Sequence, residues 1–206
     1  MGKVRLTREQ SREQTRQRLL DAAQELFLSQ GYSASSVEDI AAAAGYTRGA
    51  FYSNFSSKAE MFLELLRRDH EHMIGEMRVI FEAQPGRAQM EEQVLRFYSQ
   101  HFRDNSCFLL WIEAKLQAAR DPDFRVGFIA FMREQRAAIT EYARQFSALA
   151  GTPLSMPPEH LALGLIALCD GVQFSYAFDP QAVSAEMAEN VLAEFFRRVV
   201  FGGAAA

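Results

Sequence analysis

Between Ser35 and Lys58 the chain gathers hydrogen-bonding side chains with no catalytic pairing among them: Ser35, Ser36, Thr47, Arg48, Tyr52, Ser53, Asn54 and Lys58. Arg48 brings a planar fork of donors that fits the O6 and N7 acceptors of guanine. Gly49 beside it removes bulk where backbone would meet base edges. Tyr52 lies one helical turn on, its hydroxyl suited to a phosphate oxygen. Lys58 and the free amides of a helix start would hold a second phosphate. The chemistry on offer is recognition of a polyanion, not bond making.

Two short helices must position this set. Val37, Ile40, Ala41 and Ala44 share one helical face, and Ser35 with Glu38 has the spacing of a capping box at its start. Gly45 supplies the left-handed residue of a tight turn, and Thr47 is a natural N-cap for a second helix over about Thr47–Asn54. Ala41 to Ala44 let the two approach closely. A tight turn between two short helices is a helix-turn-helix, whose second helix enters the major groove by its N-terminal side chains. Ahead of it, Leu19, Ala22, Ala23, Leu26 and Phe27 mark a first helix that Gly31 ends.

The remainder is helical in period, with no persuasive alternating strand. Ser57-Lys58-Ala59-Glu60 opens a long helix to about Phe81, which Pro85-Gly86 stops. Met90, Val94, Phe97, Tyr98 and His101 mark a fifth helix; Cys107, Leu110, Trp111, Ala114 and Ala118 mark a sixth that Asp121-Pro122 ends. Phe124, Phe128, Phe131, Met132, Ile139, Tyr142, Phe146 and Leu149 form the stripe of a seventh. A proline-rich loop, Gly151–Pro158, leads to two last helices, about Glu159–Phe178 and Val183–Val200.

From residue 12 to residue 66 the sequence resembles the tetracycline-repressor (TetR) family. The resemblance rests on Ala-x-x-Leu-Phe, Gly-Tyr, Ser-Ser-Val-x-x-Ile-Ala, Arg-Gly-x-Phe-Tyr-x-x-Phe and Ser-Lys-x-Glu in that order and spacing. It implies an all-α protein of about nine helices: an N-terminal helix-turn-helix domain over 1–56 with a basic arm, a helical effector-binding and dimerisation domain over 57–201, and a flexible tail over 202–206. It implies base contacts by Arg48 and Gly49, and phosphate contacts by Ser35, Ser36, Thr47, Tyr52 and Lys58. Where the family often has Tyr and His, this chain has Ser53 and Asn54, placed for a base and a phosphate respectively. The implied partners are operator DNA, a second copy of the chain and a small effector. A cytoplasmic repressor that binds a palindromic operator as a homodimer and is released by an apolar or aromatic effector is the resulting expectation, with no cofactor and no metal.

Competing chemistries find little support. No dinucleotide fingerprint, zinc-protease motif, nucleophile elbow or phosphate loop occurs. His70 and His72, two apart on a helix, point to different faces and cannot share an ion. Cys107 and Cys169 lack metal-like spacing and read as buried thiols. The longest nearly unbroken apolar run, Leu161–Cys169, is less than half of what a membrane-spanning helix needs, about 20 residues. The net charge of −4 is unevenly spread: residues 1–20 hold six basic groups against two acidic, the rest sixteen against twenty-four. A basic end on an acidic body suits a polyanion docking at that end. His101 reads as a core or pocket-wall histidine, Asp170 as a hydrogen-bonded structural acid, and Glu113 as a surface carboxylate or pocket acceptor. The expected pocket wall draws on Phe97, His101, Phe108, Trp111, Phe128, Phe131 and Phe174. The expected dimer face comprises Leu161, Leu165, Leu168, Val172, Val191, Leu192, Phe195, Phe196 and Val199.

Overall fold

A computed structural model describes residues 7–83, 86–103, 107–151 and 153–201; the expected tail, Lys3 and Arg5 of the arm, Pro85 and the His101 side chain lie outside the described residues. All regular structure among them is helical: α1 Arg8–Gln30, α2 Val37–Ala43, α3 Arg48–Tyr52, α4 Lys58–Glu82, α5 Arg87–Arg103, α6 Phe108–Arg120, α7 Pro122–Ala150, α8 Pro158–Phe178 and α9 Ala185–Phe195. A single π turn, Phe196–Val200, extends α9, closed by the Phe201 amide on the Phe196 carbonyl at 2.9 Å.

The element ends follow local chemistry. Helix α1 starts earlier than its apolar stripe, because Thr7 and Gln10 cap each other's backbone amides. The arginines at 8, 12, 16 and 18 therefore ride on a helix rather than on an extended arm. Gly31 ends it at φ 89°, its amide returning to the Phe27 carbonyl. The cap of α2 is one residue later than expected: Ser36 pairs with Asp39, not Ser35 with Glu38. Both pairs satisfy the sequence pattern, but Ser35 is buried and gives its hydroxyl to the Gly31 carbonyl. Gly45 at φ 76° then turns the chain, with the Tyr46 amide reaching the Ala41 carbonyl at 2.8 Å.

The chain divides into two compact units. The first comprises Met1–Asp69 and Ser106–Phe128; the second comprises His70–Asn105 and Ile129–Ala206. The helix-turn-helix thus shares its unit with α6 and the first turns of α7. An aromatic stack accounts for this: Tyr32 lies on Phe62 at 4.6 Å between ring centroids, and Phe62 on Phe124 at 5.7 Å. Trp111 of α6 donates its indole N–H to Asp69 Oδ2 at 2.7 Å. In the second unit Met77, Phe81, Val94, Phe97, Phe146, Leu161, Leu165, Phe196 and Phe201 form a continuous buried cluster.

Candidate nucleic-acid interface and apolar cavity

Thr47 caps α3 by accepting the Ala50 amide at 3.3 Å, as its position before the helix predicts. That leaves Arg48 and Gly49 as the exposed first turn of the helix. Phe51 and Phe55 bury completely and fix the helix on its other side. Arg48 Nη1 meets Glu38 Oε1 at 2.9 Å, and its guanidinium stands 5.5 Å above the Tyr52 ring. A hydrogen bond with Tyr52 and the Glu38 charge push the guanidinium pKa further up, so it is cationic throughout. A Cβ at Gly49 would meet nothing closer than Thr47 Oγ1 at 3.7 Å. The fold therefore does not demand glycine there, and the missing side chain faces outward.

The expected contact residues separate into two groups. Thr47, Arg48, Gly49, Tyr52 and Ser53 are exposed together, with Ser36 partly so. Ser53 gives its hydroxyl to the Gly49 carbonyl at 2.9 Å, and the Tyr52 ring lies 5.5 Å from the Arg48 guanidinium. Ser35, Asn54 and Lys58 face inward. Asn54 donates to the Ala50 carbonyl at 2.8 Å, with its Oδ1 buried. Lys58 Nζ donates to the carbonyls of Tyr32 and Ser35, each at 2.7 Å, and sits 4.2 Å above the Tyr32 ring. Expected to hold a phosphate, Lys58 instead ties the loop after α1 to the start of α4. Burial lowers its pKa, and Glu113 works against that shift.

Three residues with no role, or a different one, assigned from sequence organise this surface. Arg16 of α1 donates to the Asn54 carbonyl at 2.7 Å, pairs with Glu64 at 3.1 Å and lies 4.2 Å over the Phe55 ring. It pins the end of α3 to α1. Glu113 is neither a surface carboxylate nor a pocket acceptor: from α6 it accepts the Tyr32 amide. A Cβ on Gly31 would lie 2.8 Å from Glu113 Oε1. Beside it, burial raises the Tyr32 hydroxyl to about 12. The third is Glu38, the partner of Arg48.

The second unit holds an apolar cavity of about 50 Å³ lined by α4 (Met73, Met77, Phe81), α5 (Val94, Phe97, Tyr98), α7 (Ile139, Tyr142, Phe146) and Phe196. Of the expected wall residues whose side chains are described, only Phe97 contributes. Phe108, Trp111 and Phe128 belong to the first unit, where Phe128 stacks on Phe124. Phe131 packs edge-on against His70, and Phe174 is exposed on α8 against Phe178.

The expected dimer face also needs correction. Leu161, Leu165, Leu192 and Phe196 are buried within the chain itself, in the cores described by the cavity cluster and the α8–α9 contact. Leu168 and Val172 are half-buried against α9. What α8 and α9 leave exposed is Leu163, Phe174, Phe178, Met187 and Val191. Among the described residues α8 alone is long and apolar enough to cross a membrane, with mean hydropathy 1.5, yet only 17% of that stretch is buried.

Two family models match the chain. One, for bacterial regulatory proteins of the tetR family, covers residues 19–65. The other, for the C-terminal region of BetI-type transcriptional repressors, covers residues 85–200, more than half of the chain. The chain belongs to the TetR family. TetR proteins are DNA-binding transcriptional regulators rather than a class of enzymes. The HTH-type transcriptional regulator AcrR of Shigella flexneri is 43% identical over 84 residues, 40% of this chain and 38% of that protein. An HTH-type transcriptional repressor of Mycobacterium tuberculosis is 27% identical over 183 residues, 85% of this TetR chain and 91% of its own. The crystal structure of the transcriptional regulator FadR from Bacillus subtilis with stearoyl-CoA has the same fold, with TM-score 0.69 and 16% identity over 87% of this chain and 96% of that one.

Proposed function

We propose that this TetR regulator is a cytoplasmic repressor that binds a palindromic operator as a homodimer and releases it when a small apolar effector enters the second unit. The observation that carries the reading is the exposed Arg48–Gly49 turn at the start of α3, capped by Thr47 and held from behind by Phe51. Arg48 reads a guanine, Thr47, Tyr52 and the α3 amides lie against phosphates, and Lys58 stabilises the domain from inside.

Gly49 separates binding from folding in a single variant. Gly49→Ala adds a methyl where the fold has room, so stability is kept or gains up to about 1 kcal/mol in helix propensity. The same methyl stands between backbone and base edge, so operator affinity falls. Arg48→Ala is expected to cost about 1–3 kcal/mol on operator and to relax one base pair per half-site. Binding titrations on operator and scrambled duplex, beside thermal melts, check both; equal loss by Arg48→Ala on both duplexes would refute base readout.

Dimerisation is inferred from α8. An exposed apolar stripe of Leu163, Ala167, Gly171, Phe174 and Phe178 recurs at helical spacing, and Met187 and Val191 of α9 add to it. A second copy covering it by a two-fold axis sets two recognition helices about 34 Å apart and demands a palindromic site. The match to a repressor-named relative over 85% of this chain and 91% of that protein supports the sign of regulation.

The cavity supports an apolar effector. Among the described residues no charged side chain lines it, and Tyr98 and Tyr142 supply its hydroxyls. The acyl-CoA complex of the FadR structure shows that this fold accommodates a long apolar chain in that relative. An open volume of about 50 Å³ is far below the roughly 300–1,000 Å³ of small-molecule sites. Ligand must therefore select an expanded arrangement, in which α4 residues Met73 and Met77 move apart from α5 and α7. If the expanded arrangement disfavours operator, a coupling of about 1–3 kcal/mol lowers DNA affinity by roughly 5–150-fold, and operator weakens the ligand by the same factor. Ligand affinity measured with and without saturating operator tests this; equal values for an inducing ligand would overturn the scheme.

A further inference from the structure

Glu38 lies in the first turn of α2 and is exposed, an odd place for a carboxylate in a protein that meets phosphates. Its neighbour Asp39 has a structural task, accepting the Ser36 amide at 3.0 Å as half of the capping box. Glu38 has no part in that cap. Its Oε1 instead contacts Arg48 Nη1 at 2.9 Å, across the turn of the helix-turn-helix. On its other side Arg48 lies 5.5 Å above the Tyr52 ring. The guanidinium is thus held between residues of two helices, although more than half of each partner of the ion pair is exposed.

We infer that Glu38 is a specificity-determining positioning residue, which aims Arg48 at its base and weakens binding to DNA lacking that base. The inference rests on the reading that Arg48 contacts a base. A guanidinium has five N–H donors, and Glu38 occupies the Nη1 end. The remaining donors keep the fork geometry that matches guanine O6 and N7. Held in this way, the long side chain loses less freedom on reading a guanine than an untethered arginine would. A phosphate can also pair with two guanidinium donors, but it carries no base identity, and the carboxylate repels it on every sequence alike. The repulsion lowers affinity for all DNA, and the aimed fork offsets that loss only at the cognate base, so specificity is raised without raising affinity. Because the pair is exposed it is weak and readily rearranged, so its effect is modest: a change in discrimination of roughly 2–5-fold is expected, the range of solvent-exposed ion pairs.

The test uses the full-length protein and needs no prior operator. Duplexes are selected from a randomised pool by the wild type and by the E38Q, E38D, R48A and E25Q variants, all checked for an unchanged thermal melt. Affinities are then measured for the wild-type consensus and a scrambled duplex. R48A should erase the preference at one base pair per half-site, and E38Q should weaken the preference at that same pair while binding the scrambled duplex more tightly. E38D keeps the charge but shortens the reach, so it should lose preference at that pair as E38Q does. E25Q, which removes an exposed acid from α1, should select the wild-type sequence. A wild-type preference retained by E38Q, or by E38D, would overturn the positioning role while leaving Arg48 readout intact. An unchanged selection by R48A would instead remove the base-reading assignment on which the inference stands.

Discussion

A carboxylate introduced at Phe174 or at Val191 will leave each chain folded and convert the protein to monomers. Both side chains are exposed in the isolated chain, so the substitution disturbs no buried core and loses at most the Phe174–Phe178 ring contact. In a two-fold interface each new charge is buried against apolar groups of the partner and appears twice. An unpaired buried carboxylate costs several kcal/mol, enough to dissociate an interface of ordinary size. The functional loss should be larger than any single contact could cause. Two linked half-site contacts gain roughly 10²–10⁴-fold over one, so monomers lose the operator at concentrations where the dimer saturates it. Phe196→Glu is the contrasting variant. Its side chain is 2% exposed inside the second unit, so it should unfold the chain rather than dissociate it. Light scattering for mass and circular dichroism for helix content distinguish the cases. Dimer mass unchanged in both Phe174→Glu and Val191→Glu would sink the α8 interface.

The second large effect is expected at Gly31, which ends α1 ahead of the helix-turn-helix. Its φ of 89° with ψ of 157° lies in a region that side-chain-bearing residues avoid, a strain of about 1–3 kcal/mol. The added Cβ would also reach within 2.8 Å of Glu113 Oε1. Glu113 would have to move, leaving the Tyr32 amide without its acceptor for about 1–3 kcal/mol more. Gly31→Ala should therefore destabilise by about 2–5 kcal/mol, a fall in melting temperature of roughly 5–20 °C for a chain of this length. A double-mutant cycle isolates the contact. In the Glu113→Ala background the alanine at 31 costs only its backbone strain, so the two losses should be less than additive. Strict additivity would show that Glu113 does not hold this loop.

How far the sequence led depended on the range of each signal. The helix-turn-helix was legible because its determinants are local: Gly45 for the turn, Thr47 for the cap and Phe51 for the buried face all act within a few residues. The α2 cap slipped by one residue because Ser35–Glu38 and Ser36–Asp39 share the same spacing. Only the burial of Ser35 beneath the loop separates them. The cavity wall was harder. Phe108, Trp111 and Phe128 repeat with the same helical period as Phe97 and Phe146, yet they pack in the other unit. Periodicity states which face of a helix is apolar; it does not state which core that face joins. The same limit misassigned Leu192 and Phe196, whose stripe turns inward while Met187 and Val191 remain outside. Lys58 shows a different limit. A cation beside a helix start suits a phosphate, and nothing local reveals that two carbonyls over twenty residues away already hold it.

The unit that carries the helix-turn-helix is assembled from two separate stretches of chain, Met1–Asp69 and Ser106–Phe128. This matters for anyone building chimeric regulators by swapping the first fifty or sixty residues between relatives. A donor segment cut there would leave behind Phe124, which stacks on Phe62, and Glu113, which holds the Tyr32 amide. The grafted piece would then rest on a host α6 shaped for a different loop. The arrangement also orders events on the ribosome: the nascent DNA-binding unit cannot finish packing until residue 128 has emerged, well after α5 has been made. A splice that transplants Glu113 and Phe124 together with the amino-terminal segment keeps both halves of the unit matched.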